Sequence, residues 1–250
     1  GSEAPARWSL LADDISQLLV VETLPVEPLA RLAGGLPALS PQLRATLAQL
    51  KPRGQLARVE FSQLHSNAAP VYRQLRAALD GVDFDSRDGK IPGLLGLRGQ
   101  LTADAGAVVL DLELDEAELS APLRFRRPIP IQRARGGILL LPQAGGATVE
   151  STRLEVTGPG FAVEGNLRLG FREGERPFLD LLATVPAGDL TAAPYFWLID
   201  VMPPVAVAWL DRALSTGRVS EGRWLWRGPV GRGAMPYLQH EGQMEASVLL

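Results

Sequence analysis

Histidine, serine and cysteine are the residues from which most catalytic or metal sites are built, and this chain offers few of them. It has two histidines, His65 and His240, far apart in sequence, and no cysteine. Neither histidine has a second ligand at a zinc-motif spacing, so we predict no metal site. Ser220 lies in GRVSEG, which lacks the G-x-S-x-G spacing of an exposed nucleophilic serine. We therefore do not expect acyl-transfer chemistry.

The glycine-rich segments do not fit the phosphate-binding patterns. Gly89-Lys90 is followed by Ile91, where a phosphate loop needs a hydroxyl to hold magnesium. Gly93, Gly96 and Gly99 have the wrong spacing for a dinucleotide fingerprint, and a predicted strand follows them instead of a helix. We expect these glycines in turns and bulges, and we predict no cofactor.

Acidic residues cluster in two places, and both have a structural interpretation. DFDSRDGK, residues 83–90, resembles a calcium loop, but its glycine is one place late and Leu94 stands where a bidentate glutamate is needed. Asp111, Glu113 and Asp115 alternate as on the solvated face of a strand. We therefore predict a protein that is not an enzyme.

Arginines are concentrated in LRFRRPIPIQRAR, residues 123–135. A guanidinium group can bind phosphate through two hydrogen bonds, so Arg124 and Arg126 are candidates for contact with a phosphate headgroup. The interpretation that we favour is structural, as the polar face of two strands interrupted at Pro128 and Pro130. The net charge of −3 lacks the basic excess of a nucleic-acid surface, so we expect no nucleic-acid partner.

Strands must position these residues, because apolar residues recur at every second position from about residue 97 onward. Two segments show the pattern best, with Val108, Leu110, Leu112 and Leu114 on one face of the first, and Phe161, Val163, Leu167, Leu169 and Phe171 on one face of the second. Further strands are predicted at 55–64, 129–141, 148–157, 177–185, 222–230 and 238–249, and residues 72–81 fit an edge strand better than a helix. Glycines at 145–146, 158–160 and 174 predict hairpin turns, and hence an antiparallel meander.

Helical spacing occurs at residues 26–50, as two short helices broken at Gly34-Gly35, and at residues 203–216. The second helix has an apolar stripe that we expect to pack on the sheet, formed by Val205, Trp209, Leu210, Ala213 and Leu214. No linker divides the chain, so we predict one continuous unit over 1–250 with helical insertions near 26–50 and 194–216. No apolar run approaches the ~20 residues of a membrane span.

The C-terminal third carries the most specific pattern, VAVAWLDRALSTGRVSEGRWLWRGPV followed by MPYLQHEGQMEA. It resembles the YhdP branch of the AsmA-like and TamB family, in which a short helix with W-L and A-L precedes G-x-V-x-x-G, a strand, a proline-aromatic pair and G-x-[FM]-x-A. LKPRGQLARVEF and IPGLLGLRGQLTADAGAVVLDLE fit the same family, so the resemblance extends over roughly residues 50–250. Before the helix the family tends to show a Y-L-P step, where this chain has YFWLIDVMPP.

The resemblance implies an internal segment of a periplasmic protein that is anchored in the inner membrane of a Gram-negative bacterium. It implies a long, curved antiparallel sheet, folded like a taco, whose apolar concave face forms a groove. The groove would hold phospholipid acyl chains as part of a transport bridge between the inner and outer membranes. The remaining segments of the same parent chain would be further partners. The residues expected to line the groove are Val108, Leu110, Leu112, Leu114, Phe161, Val163, Leu167, Leu169 and Phe171, with Arg124 and Arg126 as possible headgroup contacts.

A second hypothesis remains open beside lipid transport. The chain could be a structural or protein-interaction module of an envelope protein without lipid cargo, with its apolar strand faces packed against its own helices. Alternation along a strand does not reveal what an apolar face contacts. The covering of those faces in the structure therefore distinguishes the two hypotheses.

Overall fold

Strands dominate the chain in the computed structural model, which describes residues 7–34, 50–66, 69–85, 92–200, 202–231 and 242–249. The strands are β1 Trp8–Ala12, β2 Ser16–Pro25, β3 Arg53–Ser66, β4 Ala69–Phe84, β5 Gly93–Ala103, β6 Val108–Ser120, β7 Ile129–Gln143, β8 Gly146–Gly158, β9 Phe161–Arg172, β10 Phe178–Val185, β11 Gly188–Asp189, β12 Arg218–Val219, β13 Glu221–Pro229 and β14 Gln243–Leu249. The helices are α1 Val26–Gly34, a 3₁₀ helix Leu190–Phe196 and α2 Pro204–Ala213.

All of these strands belong to one antiparallel sheet of 14 strands. Neighbours in the sheet follow one another in sequence from β1 to β10, and β13 and β14 complete the path. The short β11 and β12 pair with each other beside the main path. The prediction of a mainly β chain with a few short helices and one long antiparallel sheet is confirmed.

Most predicted strands are present, and several are longer than predicted. Residues 72–81 are part of β4, which confirms a strand there, although β4 lies between β3 and β5 and is not an edge. β1 and β2 precede the first strand that the sequence predicted. Residues 238–241 of the last predicted strand, and 35–49 of the predicted helices, lie outside the described residues.

Glycines with positive φ interrupt the strand pairing at defined points. Gly99 (φ 149°) lies beside a register shift between β5 and β6, and Gly136 (φ 146°) lies beside one between β7 and β8. A Cβ on Gly99 would overlap the carbonyl oxygen of Asp111, and one on Gly136 would overlap that of Arg153. Because bulges bend and twist a strand, these glycines mark where the sheet bends. The extra residues at these two shifts lie in the facing strands β6 and β8, so Gly99 adjoins the irregularity without being a bulged residue itself.

The largest buried cluster lies where these irregular strands meet. Its fully buried members come from four neighbouring strands, namely Val82, Leu97, Leu114, Ala117, Ile131 and Ala134. In β6 the burial changes phase after Glu116, which has φ 56°, so that Ala117 continues the buried side begun by Leu114. Val26 of α1 packs against the same cluster.

Helix α2 forms as predicted but packs through a different face. Val205 is 80% exposed and Trp209 is 60% exposed, whereas Val207 is buried. Asp211, one turn after Val207 on the same side of the helix, bonds to Arg126 and Trp197. These polar contacts decide how the helix docks, so the predicted stripe was wrong for Val205 and Trp209.

Candidate functional site

One face of the sheet carries apolar residues in register across successive strands. Residues directly opposite one another in antiparallel strands project to the same face, so register pairs trace lines across a sheet. The first line consists of Leu10, Leu19, Phe61, Leu75, Ala103, Val108, Leu140, Val149, Leu169, Leu179 and Gly228. It runs from β1 to β13 without a polar residue. We call the face that it defines the apolar face.

Two further lines run beside the first on the same face. The second has two parts, which the register shift between β7 and β8 separates. The first part comprises Ala77, Leu101, Leu110 and Ile138, and the second part comprises Ser151, Leu167, Leu181, Trp226 and Met244. The third comprises Leu56, Leu79, Gly99, Leu112, Gly136, Leu154, Gly165, Ala183, Trp224 and Ala246. Ser151 is the one residue with a hydroxyl group in these three lines, and it is buried, at 4% exposure.

The structure places the predicted lining residues on this face in three different environments. Val108, Leu110, Leu112, Leu167 and Leu169 lie in the three lines and are half-buried. Leu114, Phe161 and Val163 belong to the buried clusters or pack against them. Phe171, paired with Ala147, is 40% exposed. Contact of any of them with a lipid remains a prediction.

The 3₁₀ helix covers one end of the apolar face, where β8 joins β9. Phe161 is buried with Ile129 and Ala192, and its ring meets that of Phe196 edge-on at a centroid distance of 5.0 Å. Val163 packs against the same cluster, as do Tyr195 and Phe196. At this end the apolar side chains therefore contact the protein's own helix.

Arg124 and Arg126 lie in the loop between β6 and β7, where they form ion pairs within the chain. Arg124 Nη1 is 3.0 Å from Asp200 Oδ2. Arg126 donates to both carboxylate oxygens of Asp211, at 2.9 and 2.7 Å. The two arginines thus fasten residues 190–200 and 202–213, which we call the helical insertion, to this loop.

Two expectations for this arginine segment have different outcomes. The interpretation of two strands flanking Pro128 and Pro130 was wrong, because β7 begins at Ile129 and the residues before it form turns. Headgroup contact by Arg124 and Arg126 remains a prediction. A phosphate would have to compete with the carboxylates that already occupy both guanidinium groups.

Asp211 is the central acceptor in the attachment of the helical insertion. Its Oδ1 also accepts a hydrogen bond from Trp197 Nε1 at 2.9 Å. The Arg126 guanidinium, followed by the Trp197 indole, holds the pKa of the Asp211 carboxyl below its usual value. Asp211 in turn raises the pKa of Arg126.

The polar residues that could have suggested chemistry have structural partners. Arg133 pairs with Asp115 at 3.5 Å and Arg135 pairs with Glu113 at 3.6 Å, each across neighbouring strands. Other candidates bond to the main chain, since Asp83 Oδ1 accepts from the Gly96 amide at 2.8 Å and Ser220 Oγ donates to the Leu249 carbonyl at 3.1 Å. His240 and Asp88 lie outside the described residues. Within the part of the chain that the structure describes, no group of three or more acidic or histidine side chains could hold a metal ion.

Sequence reasoning missed much of the apolar face. Phe61 was not assigned to it because a bulge at Arg58, with φ 50°, breaks the alternation in β3. Leu75 was not assigned because it lies in residues 72–81, whose spacing also fitted a helix. Leu179 and Leu181 lie in a strand that was predicted, and their spacing of two was the available signal. Trp226 stands opposite Leu181, and only the register of the strands could reveal that.

Comparisons with known proteins give one match. The model of the family described as "YhdP protein" matches residues 5–250. No curated protein and no solved structure matches the chain. Among the described residues, no helix is both long and apolar enough to cross a membrane.

Proposed function

Because the chain belongs to the YhdP family, we propose that it is one segment of a periplasmic bridge that carries phospholipids between the inner and outer membranes. The family is AsmA-like, belongs to the bacterial envelope and is associated with lipid transport. It is not known for enzymatic activity. In this proposal the segment holds acyl chains on its apolar face and catalyses no reaction.

The observation that supports the proposal is the continuity of the apolar lines from β1 to β13 and β14. Each methylene that leaves water contributes about 0.8 kcal/mol, whatever its position along the chain. An acyl chain lying along a line would meet a new apolar side chain at every strand, about 4.8 Å apart. Such a surface binds by contact area, so that a chain can slide along it.

The bulges support a curved arrangement of this surface. Bulges increase the bend and twist of a strand, and those at Gly99 and Gly136 fall in the third line of the apolar face. We propose that the sheet curves with the apolar face on its concave side. Val108, Leu110, Leu112, Leu167 and Leu169 would then line the groove directly, while Leu114, Phe161 and Val163 would support its covered side.

The envelope context extends beyond this chain. We propose that the parent protein is anchored in the inner membrane of a Gram-negative bacterium. Other segments of the same parent chain would extend the apolar face beyond β1 and β14. Both terminal strands present exposed apolar side chains, including Leu10 and Val248.

One observation favours the second candidate, a structural module without lipid cargo. Phe161 and Val163 pack against Tyr195 and Phe196 of the protein's own helix. If similar packing covered the whole apolar face, no room would remain for a ligand. The described helices do not do so, since Leu10 and Phe61 in the first line are 57% and 38% exposed.

Adjacent leucines on opposite faces of β10 provide a matched test. Leu181 lies on the apolar face between Leu167 and Trp226, whereas Leu182 projects from the other face and is 50% exposed. We expect native mass spectrometry to detect phospholipid on the purified wild-type chain and on Leu182→Asp, and at least tenfold less on Leu181→Asp, because a charge in the lining must be desolvated. Absence of lipid from the wild type, or equal occupancy in both variants, would contradict the proposal.

A further inference from the structure

Two buried hydrogen-bond donors without a partner belong to residues of the apolar face. Among the described residues, three side-chain polar atoms are buried without a hydrogen-bond partner, namely Ser151 Oγ, Asp200 Oδ1 and Trp224 Nε1. Asp200 uses its other carboxylate oxygen to bind Arg124. The remaining two atoms, the Ser151 hydroxyl and the Trp224 indole N–H, both belong to residues in the lines of the apolar face.

The register places both side chains on the same side of the sheet. Ser151 stands opposite Leu167, and Leu167 stands opposite Leu181. Trp224 stands opposite Ala183 and lies two residues before Trp226, which stands opposite Leu181. All these side chains therefore share one side of the sheet. Ser151 is 4% exposed, so its hydroxyl lies among apolar neighbours and not in bulk water.

Buried donors without acceptors are rare in native proteins because each loses its hydrogen bonds to water and gains none. The lines of the apolar face supply only aliphatic and aromatic side chains around Ser151. The indole N–H can only donate, and the serine hydroxyl can donate, so an acceptor is the one kind of group that would satisfy both. Neighbouring side chains cover both atoms, so a ligand that displaces these side chains and brings acceptor oxygens would satisfy them.

We infer that Ser151 and Trp224 donate hydrogen bonds to ester carbonyl oxygens of an acyl lipid lying on the apolar face. This inference rests on the proposed function and adds a chemical preference to it. The face would hold ester-linked acyl chains more tightly than the same hydrocarbon without carbonyl groups. Ether-linked lipids, which keep the chain length but lack the carbonyl, are the discriminating ligands.

The test compares dioleoyl phosphatidylethanolamine with its diether analogue on the full 250-residue chain. In competition, followed by mass spectrometry of the bound lipid, we expect the wild type to prefer the diester by about fivefold, the value of one neutral hydrogen bond. Ser151→Ala and Trp224→Phe should each lower this preference, and the double variant should bind both lipids equally.

Controls separate loss of recognition from loss of folding and from failure of the proposed function. Thr148→Val changes a buried hydroxyl on the opposite face of the same strand and should keep the preference. Ser151→Ala should melt at the wild-type temperature or above, because it removes an unsatisfied buried group. Equal binding of both lipids by the wild type, or a preference retained in the double variant, would overturn the inference while leaving lipid binding intact. Binding of neither lipid would overturn the proposed function as well.

Discussion

At the scale of single residues, Asp211 links the helical insertion to the loop between β6 and β7. Its carboxylate receives three hydrogen bonds, two from Arg126 and one from Trp197. Arg126 and Asp211 come from segments far apart in sequence, so each stabilises a contact between the β6–β7 loop and α2. The Arg127 guanidinium adds to this junction by stacking on the Tyr195 ring at 3.9 Å.

The lowered pKa of Asp211 predicts how this junction responds to acid. A carboxyl whose pKa is lower in the folded state contributes stability that is complete above its ordinary pKa of about 3.9 and is lost as the pH falls through the folded value. We therefore expect hydrogen exchange in α2 to be constant between about pH 8 and pH 5, after correction for the intrinsic exchange rate, and to accelerate only below about pH 4.

The Asp211→Asn variant is the control for this pH dependence. It cannot ionise, so its α2 should exchange faster than in the wild type at neutral pH and should show no additional transition from residue 211 in acid. A wild-type transition near neutral pH would contradict the assignment, because the folded pKa of Asp211 would then have to lie above its usual value.

Residue types alone identified few of these contacts. The arginines of residues 123–135 were recognised as an unusual group, but the carboxylate partners of Arg124 and Arg126 lie more than seventy positions away along the chain. Sequence spacing carries no information about such pairs. Ser151 was missed for a related reason, since a serine in a strand becomes notable only when burial and register show that its hydroxyl is among apolar side chains.

At the scale of elements, the bulges determine the course of the strands, and glycine makes them possible. Gly99 and Gly136 adopt φ values of 149° and 146°, and each lies against a neighbouring carbonyl oxygen. A side chain there would face both an unfavourable backbone conformation and a steric overlap with backbone atoms, which cannot rotate away.

We expect Gly99→Ala and Gly136→Ala each to lower the free energy of unfolding by about 2 kcal/mol or more. Chemical denaturation monitored by circular dichroism measures this change. Gly106→Ala is the matched control, since a Cβ there meets only the Asp104 carboxylate at 3.7 Å. Similar losses at Gly106 and Gly99 would show that the bulge geometry is not what requires glycine.

Strand existence was predictable from the alternation of apolar residues, because a one-sided strand imposes a period of two. The continuity of a strand was harder to predict from the sequence. Where a bulge inserts a residue, as at Arg58 or Glu116, the alternation changes phase. The sequence then predicts two short strands, or no strand, in place of one long strand. The docking face of α2 was also not predictable, because an aspartate and not an apolar stripe makes the decisive contacts.

At the scale of the whole molecule, the proposed lipid transport requires the apolar face to be a surface that binds ligands. The lines cross from β1 to β13. Among the described residues, the helical insertion packs on the end near Phe161 and Val26 of α1 packs on the cluster around Leu114, whereas Leu10 and Phe61 are exposed. Membership of the YhdP family was foreseen from the pattern around Trp209 to Gly242, whereas the lines themselves depend on register across strands. No single segment of sequence contains them.

The most direct test is photocrosslinking from neighbouring residues on opposite faces of β6. Leu110 lies on the apolar face between Leu101 and Ile138, and Val109 projects from the other face. A photoreactive amino acid at 110 should crosslink phospholipid in cell envelopes, and the same residue at 109 should not. Equal crosslinking at both positions, or none at 110 while the variant remains folded, would contradict the claim that this face carries lipid.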